Sequence, residues 1–164
     1  MQVANRLNLD GSVLHLLHRA GQVADDLFAR EIAGSALTPR QFAVLAVLAQ
    51  KQTASQTDIV EATGVDRSTL ADIVRRLVER GLLARKRSKL DARAYDVRLT
   101  ASGQSALKAA QPAVSRVEEQ ILKTMPTAKR SDFVEALGQL VGSFAGREIA
   151  VVPPPRGRSK PSRN

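Results

Sequence analysis

The stretch Gly64–Gly81, GVDRSTLADIVRRLVERG, decides how this chain is read. A glycine stands at each end, and Asp66 sits where a side-chain oxygen caps the first free N–H groups of a helix. Inside it, Leu70, Ile73, Val74 and Leu77 recur at helical spacing and predict one buried stripe. Ser68, Asp72, Arg75, Arg76 and Glu79 fall on the opposite side. Hydroxyls reach base edges or phosphates and guanidinium forks take phosphate or guanine, so this face suits a DNA groove. It equally describes a surface helix with solvated charges. The flanking segments decide between the two readings.

Just upstream, Ser55 starts a short helix with Asp58 as a reciprocal cap, and Ile59, Val60 and Ala62 are expected to face inward. Gly64 suits a left-handed C-terminal residue, with Val65 plugging the turn. Two short helices joined by a glycine-containing turn make a helix-turn-helix, in which the helix Arg67–Arg80 enters the major groove. Downstream, Leu82–Ser88 and Tyr95–Leu99 read as two strands, with Tyr95, Val97 and Leu99 alternating against Asp96 and Arg98. The tip between them, SKLDARA, has neither glycine nor proline. A basic hairpin in this position is a wing, and Arg93 at its tip is placed to reach an adjacent minor groove.

Further out, Ser12 to Ile32 place Val13, Leu17, Ala20, Ala24, Leu27 and Phe28 on one helical stripe that Gly34 ends. Thr38-Pro39-Arg40-Gln41 carries an N-cap, a first-position proline and a capping-box glutamine. The helix it opens turns Phe42, Leu45 and Leu48 inward and stops near Gln50, before a polar loop KQTAS. Thr100 caps a long helix bearing Leu107, Ala110, Val114, Val117 and Ile121, which Pro112 kinks without ending. After Met125-Pro126, Phe133, Leu137, Leu140, Val141 and Phe144 form a last stripe. The first helix and the last two carry more apolar surface than one small winged domain covers, and a twofold dimer is the economical solution. The tail AVVPPPRGRSKPSRN has the composition of a disordered, basic segment, either a solvated end or an arm adding phosphate contacts.

Bulk composition sets the frame. At 164 residues, 43% apolar and 25% charged, one domain with a proper core is expected. The absence of cysteine excludes disulfides, thiolate metal sites and thiol redox sensing. No apolar run is long enough to span a bilayer, which places the protein in the cytoplasm. The net charge of +9 is unevenly placed: +4 from Val151 onward, +6 between Arg67 and Arg93, and −1 over the remaining residues. That concentration is the electrostatic footprint of a nucleic-acid partner.

The segments LTPRQFAVLAVLAQ and SQTDIVEATGVDRSTLADIVRRLVERGLLARKRSKLDARAYDVRLTASG, from Leu37 to Gly103, together resemble the MarR (multiple antibiotic resistance regulator) family of bacterial winged-helix transcription factors. The shared features are the Thr-Pro-x-Gln helix start, Leu77-x-x-x-Gly81-Leu82-Leu83-x-Arg85, Asp91-x-Arg93 and Leu99-Thr100-x-x-Gly103. The resemblance implies a homodimer with interlocking terminal helices whose winged domains read a pseudo-palindrome. It implies a repressor released by a small ligand, often phenolic or acidic, bound between the dimerisation helices and the DNA-binding lobe. By position it assigns Ser68, Thr69, Asp72 and Arg75 to the groove and Arg93 to the wing, with Asp91 orienting its guanidinium. Many relatives carry an acidic residue with proline or glycine where this chain has Arg87-Ser88-Lys89-Leu90. The lack of cysteine sets aside the peroxide-sensing branch.

The expected fold is thus mainly α with a small two-stranded β wing: a winged helix-turn-helix (37–100) between an N-terminal dimerisation helix (1–36) and C-terminal dimerisation helices (101–146), with a disordered basic tail (147–164). The expected DNA-binding set is Arg67, Ser68, Thr69, Asp72, Arg75, Arg76, Arg87, Lys89, Asp91 and Arg93. His18, Arg19 and Arg40 are candidates for an anionic effector such as an aromatic acid or an acyl-coenzyme A thioester. His15 and His18 share a helix face as half a metal site, but no third ligand stands nearby, so no metal and no cofactor is assigned. No nucleophile with a base and no carboxylate pair in a cleft points to an enzyme, since adjacent Asp25 and Asp26 point to different sides of a helix. A nonspecific architectural DNA-binding protein is the alternative that charge alone would support.

Overall fold

The computed structural model describes residues 8–32, 37–87 and 95–144. A short 3-10 turn, Leu9–Gly11, leads into α1 (Val13–Glu31), whose N-cap is Ser12 accepting from His15 N. α2 (Pro39–Lys51) begins with the expected capping box, Thr38 Oγ1 accepting from Gln41 N while Gln41 Oε1 accepts from Thr38 N. There follow β1 (Thr53–Ala54), α3 (Gln56–Thr63), α4 (Arg67–Glu79), β2 (Leu83–Arg87) and β3 (Tyr95–Leu99). α5 (Ala101–Lys123) runs on through Pro112, and after the 3-10 turn Thr127–Lys129 the described chain ends in α6 (Arg130–Phe144).

One core joins these elements. Val44, Leu45 and Leu48 of α2, Ile59 of α3, and Leu70, Val74 and Leu77 of α4 are fully buried, with Val97 of β3 and Leu107, Ala110, Ala113 and Val117 of α5 packed on the same cluster. Phe28 meets Phe42 edge to face at 6.3 Å, fixing the end of α1 against the start of α2. Glu31 then ties α1 to α5, accepting from Arg116 Nε at 2.6 Å and Gln120 Nε2 at 2.7 Å. Both donors hold its carboxyl below the ordinary value, Arg116 foremost.

The expected two-stranded wing is a three-stranded antiparallel sheet in the order β1-β3-β2. The segment read as a polar loop contains β1, which pairs Thr53 with Arg98 and Ala54 with Val97. Two residues are too few for strand periodicity, and only the third dimension supplies their partner. Val97 and Leu99 are buried as their alternation requires, but Tyr95 is 51% exposed because the sheet runs out past the core at that end. Ala62 is exposed rather than facing inward. On α1 only Phe28 of the predicted stripe is fully buried, with Leu27 half-buried, while Val13 and Leu17 lie open to solvent. Helix α6 buries no residue, and Val134, Leu137, Leu140, Val141 and Phe144 are all exposed. The tail and the wing tip fall outside the described residues.

Candidate nucleic-acid interface

Helix α3 is closed at its start by a reciprocal cap: Ser55 Oγ accepts from Asp58 N at 3.1 Å while Asp58 Oδ2 accepts from Ser55 N and Ser55 Oγ at 2.9 and 2.8 Å. These bonds hold the Asp58 carboxyl below its ordinary value. Gly64, with φ 68° and ψ 6°, ends the helix in the left-handed conformation that a side chain adopts at a cost. Thr63 stitches the turn, its hydroxyl donating to Ile59 O and accepting from Val65 N, and Val65 packs on the core.

The turn delivers α4 with its N-terminus built around Asp66. Asp66 Oδ1 accepts from Thr69 N at 2.9 Å and from Ser68 Oγ at 2.6 Å. The Ser68 bond is the chief reason the Asp66 carboxyl lies far below the carboxylate range. The Ser68 proton is therefore engaged, and that hydroxyl presents its lone pairs outward. Leu70, Ile73, Val74 and Leu77 are buried as their spacing predicts, which turns Ser68, Arg75, Arg76 and Glu79 to solvent, with Asp72 half-exposed and Thr69 half-buried. Arg67 is exposed at the first helical position.

The exposed face of α4 is an ion-paired network. Asp72 takes Arg75 Nη2 at 2.6 Å on one oxygen and Arg76 Nε at 2.8 Å on the other, while Arg75 Nη1 reaches Glu79 at 2.8 Å. The Arg75 hydrogen bond is the main cause of the lowered Asp72 carboxyl. From Asp66 to Glu79 the three arginines are thus balanced by three carboxylates. The unbalanced charge of this region lies on β2 instead, where Arg85, Lys86 and Arg87 are all exposed and no acid intervenes. Arg85 and Lys86 are absent from the expected set, and their consecutive run of cations within a strand was the signal that identifies them. Arg87 sits opposite Tyr95 at the last described pair of the hairpin. Lys89, Asp91 and Arg93 lie outside the described residues.

A junction beneath α4 fixes where the hairpin leaves the helix. Gly81 adopts φ 70°, and its N–H and that of Leu82 close α4 by donating to Val78 O and Leu77 O, each at 2.9 Å. Thr100 bonds back to this corner: its N–H reaches Leu82 O at 3.1 Å and its hydroxyl reaches Gly81 O at 2.7 Å, while Gly103 N donates to that hydroxyl at 3.0 Å. A Cβ on Gly103 would collide with the Leu82 carbonyl oxygen and lie 3.0 Å from Leu99 Cδ2. The glycine and threonine singled out in the sequence are therefore the two residues that let α5 touch the α4–β2 corner.

The effector candidates are scattered. His18 and Arg19 are exposed on α1, Arg19 bonding Gln22 at 3.1 Å, and Arg40 is exposed on the first turn of α2. None of the three lines the cavity of about 330 Å³ at the α3 N-terminus beside Arg85 and Tyr95, or that of about 740 Å³ between α2 and α5. Among the described residues no three His, Asp or Glu side chains group as a metal site. No described helix is long and apolar enough to cross a membrane.

Comparison with known proteins is consistent across sequence and structure. The MarR family profile matches residues 37–94. The transcriptional repressor NicR of Pseudomonas putida is 30% identical over 129 residues, covering 79% of this chain and 82% of that protein. BpsR of Bordetella bronchiseptica, whose DNA binding is regulated by 6-hydroxynicotinic acid, superposes with a TM-score of 0.76 at 31% identity over 80% of this chain and 94% of its own. The transcriptional repressor CouR, solved on a 23-mer DNA duplex, gives a TM-score of 0.75 at 28% identity, covering 81% and 94% of the two chains.

Proposed function

The chain belongs to the MarR family of transcriptional regulators, and from that premise we propose that it is a homodimeric repressor that binds a pseudo-palindromic double-stranded operator and is released by a small organic acid. The observation that carries this reading is the pairing of an exposed, polar α4 with an unbalanced cationic strand β2 on one rigid corner. A helix in the major groove would present Arg67, Ser68, Thr69, Asp72, Arg75 and Arg76 to bases and flanking phosphates. Arg85, Lys86 and Arg87 would follow the phosphate backbone, with Lys89, Asp91 and Arg93 continuing that path toward a minor groove.

Residues 37–100 form the DNA-binding unit in this reading, and 1–36 and 101–146 the dimerisation unit. The exposed apolar rows of α1 and α6 support the pairing, since a second copy is the partner every copy has at hand. Residues 147–164 add salt-sensitive, sequence-blind attraction. The relatives named above support the repressor sign and the acidic effector class. NicR and CouR are both repressors, and CouR is held on DNA. His18, Arg19 and Arg40 would greet an anion only where the partner's helices complete a cleft around them.

The test is binding of the purified protein to its own upstream intergenic DNA with excess nonspecific competitor, repeated with aromatic acids and their coenzyme A thioesters. Binding that survives competitor and is lost with one compound is expected. Equal affinity for operator and scrambled duplex would replace this reading with that of an architectural DNA-binding protein.

A further inference from the structure

The outer corner of α4 is built from oxygens whose protons are already committed. Asp66 Oδ1 takes the Ser68 hydroxyl proton at 2.6 Å and the Thr69 N–H at 2.9 Å. Ser68 foremost, and the Thr69 hydroxyl after it, keep that carboxyl ionised. A serine hydroxyl has one proton and two lone pairs, and it ordinarily rotates to suit whichever partner it meets. Here rotation would give up a bond to a carboxylate, about twice as strong as one between neutral groups. Ser68 therefore faces outward as an acceptor alone.

Its place on the helix says which partners come within reach. Ser68 is exposed at the second position of α4, and the buried stripe of Leu70, Ile73, Val74 and Leu77 turns it outward. A recognition helix meets base edges with its N-terminal residues. Further along the same face, Arg75 and Arg76 are bridged to Asp72 and Glu79. A phosphate offers only acceptor oxygens, so a hydroxyl without a free proton has nothing to give it, and the adjoining Asp66 carboxylate repels it. Guanine N7 and O6 and thymine O4 are acceptors as well. The donors that the major groove presents are cytosine N4 and adenine N6.

We infer that Ser68 reads one exocyclic amino group in each half-site, cytosine N4 or adenine N6, and that Asp66 is the positioning residue that fixes its polarity. This rests on the operator-binding reading above and names the base edge that is recognised. A serine in the major groove usually serves either kind of edge. Ser68 instead rejects guanine O6 and thymine O4 at the atom it faces, so an adenine-to-guanine or cytosine-to-thymine exchange there places two acceptors against each other. Asp66 thus has two tasks, capping α4 and aiming the Ser68 proton inward. Asp66→Gly separates them, because glycine serves as an N-cap residue but offers the hydroxyl no acceptor.

The experiment selects duplexes from a randomised pool with the full-length protein, then measures affinity for the selected duplex with single groups removed from one half-site. Each adenine is replaced in turn by purine, which lacks N6, each cytosine by 2-pyrimidinone, which lacks N4, and each guanine by 2-aminopurine, which lacks O6. Wild type, Ser68→Ala and Asp66→Gly are compared by fluorescence anisotropy, with a thermal melt of each. Ser68→Ala trims an exposed side chain and leaves the core untouched, so it decides the matter whatever Asp66→Gly does to the fold. Removal of one amino group is expected to weaken wild type about fivefold or more and to leave Ser68→Ala unchanged. At that same base, exchange of adenine for guanine or cytosine for thymine, with its complement matched, should cost Asp66→Gly less than wild type, because the freed hydroxyl can donate. A preferred sequence in which no amino group couples to Ser68, or in which the coupling falls on guanine O6, would overturn this assignment alone. Selection that returns no preferred sequence would remove the regulator reading, and the assignment with it.

Discussion

Asp72→Ala isolates what the ion-paired face of α4 does. The carboxylate holds Arg75 and Arg76 at 2.6 and 2.8 Å, on a surface where all three side chains are roughly half exposed. Exposed pairs of this spacing stabilise a helix only weakly, and alanine is the better helix former. The fold should therefore stand, with a thermal midpoint within about 2 °C of wild type. Arg75 keeps its second partner, Glu79, at 2.8 Å, so the group released is Arg76. One freed guanidinium per protomer would add two phosphate-directed cations to the proposed dimer and steepen the dependence of log affinity on log salt by about 1.8. Between about 50 and 200 mM salt that amounts to about a twelvefold change in relative affinity. Phosphate contacts carry no sequence information, so operator and scrambled duplexes should gain alike. Fluorescence anisotropy on both duplexes across that salt range measures the slope. A slope equal to that of wild type would refute the reasoning, and a loss confined to operator would show that Asp72 touches a base directly.

Three further outcomes are expected. Gly103→Ala places a methyl group on the Leu82 carbonyl and should cost about 3 kcal/mol or more, read as a thermal midpoint lower by about 6 °C or more; an unchanged midpoint would mean that α5 and the α4–β2 corner separate freely. Glu31 has its carboxyl lowered in the fold by Arg116 and Gln120, so its stabilisation is complete above its ordinary value of 4.5 and is lost as pH falls through the lower folded value. The acid limb of a melting-versus-pH curve should accordingly flatten in Glu31→Gln, and a limb parallel to wild type would deny the tie between α1 and α5 a role. Leu140→Glu, on the exposed row of α6, forfeits about 1.5–3 kcal/mol of burial per copy in any helix-to-helix dimer, so sedimentation should show dissociation at micromolar concentration; a dimer of undiminished affinity would place the interface elsewhere.

Local chemistry made much of the fold legible. Thr38-Pro39-Arg40-Gln41, Ser55 with Asp58, and Asp66 with Thr69 are contacts within four residues, and each closes in the structure as its spacing implies. The left-handed Gly64 and the buried stripe of α4 were readable for the same reason. Less legible was everything set by distant partners. Along the sequence Arg67 to Arg93 is one basic footprint, but Asp72 and Glu79 lie within a turn of Arg75 and Arg76 and pair with them, which shifts the unbalanced charge to β2. The stripe on α1 was visible as a pattern, yet the pattern cannot say whether its covering surface belongs to the same chain.

By itself, then, the order of residues determined the helices, their caps and the glycine turn before α4, because these depend on neighbours three or four positions apart, and the ordered motifs from Leu37 to Gly103 carried the family. Tertiary structure alone decided that Thr53 and Ala54 complete a sheet, that Gly103 must lack a side chain beneath Leu82, and that Arg98 and Lys108 face one cavity. Each of those facts joins segments that meet only once the core has closed. No periodicity records such meetings, because the energy that enforces them is burial and hydrogen bonding across the fold.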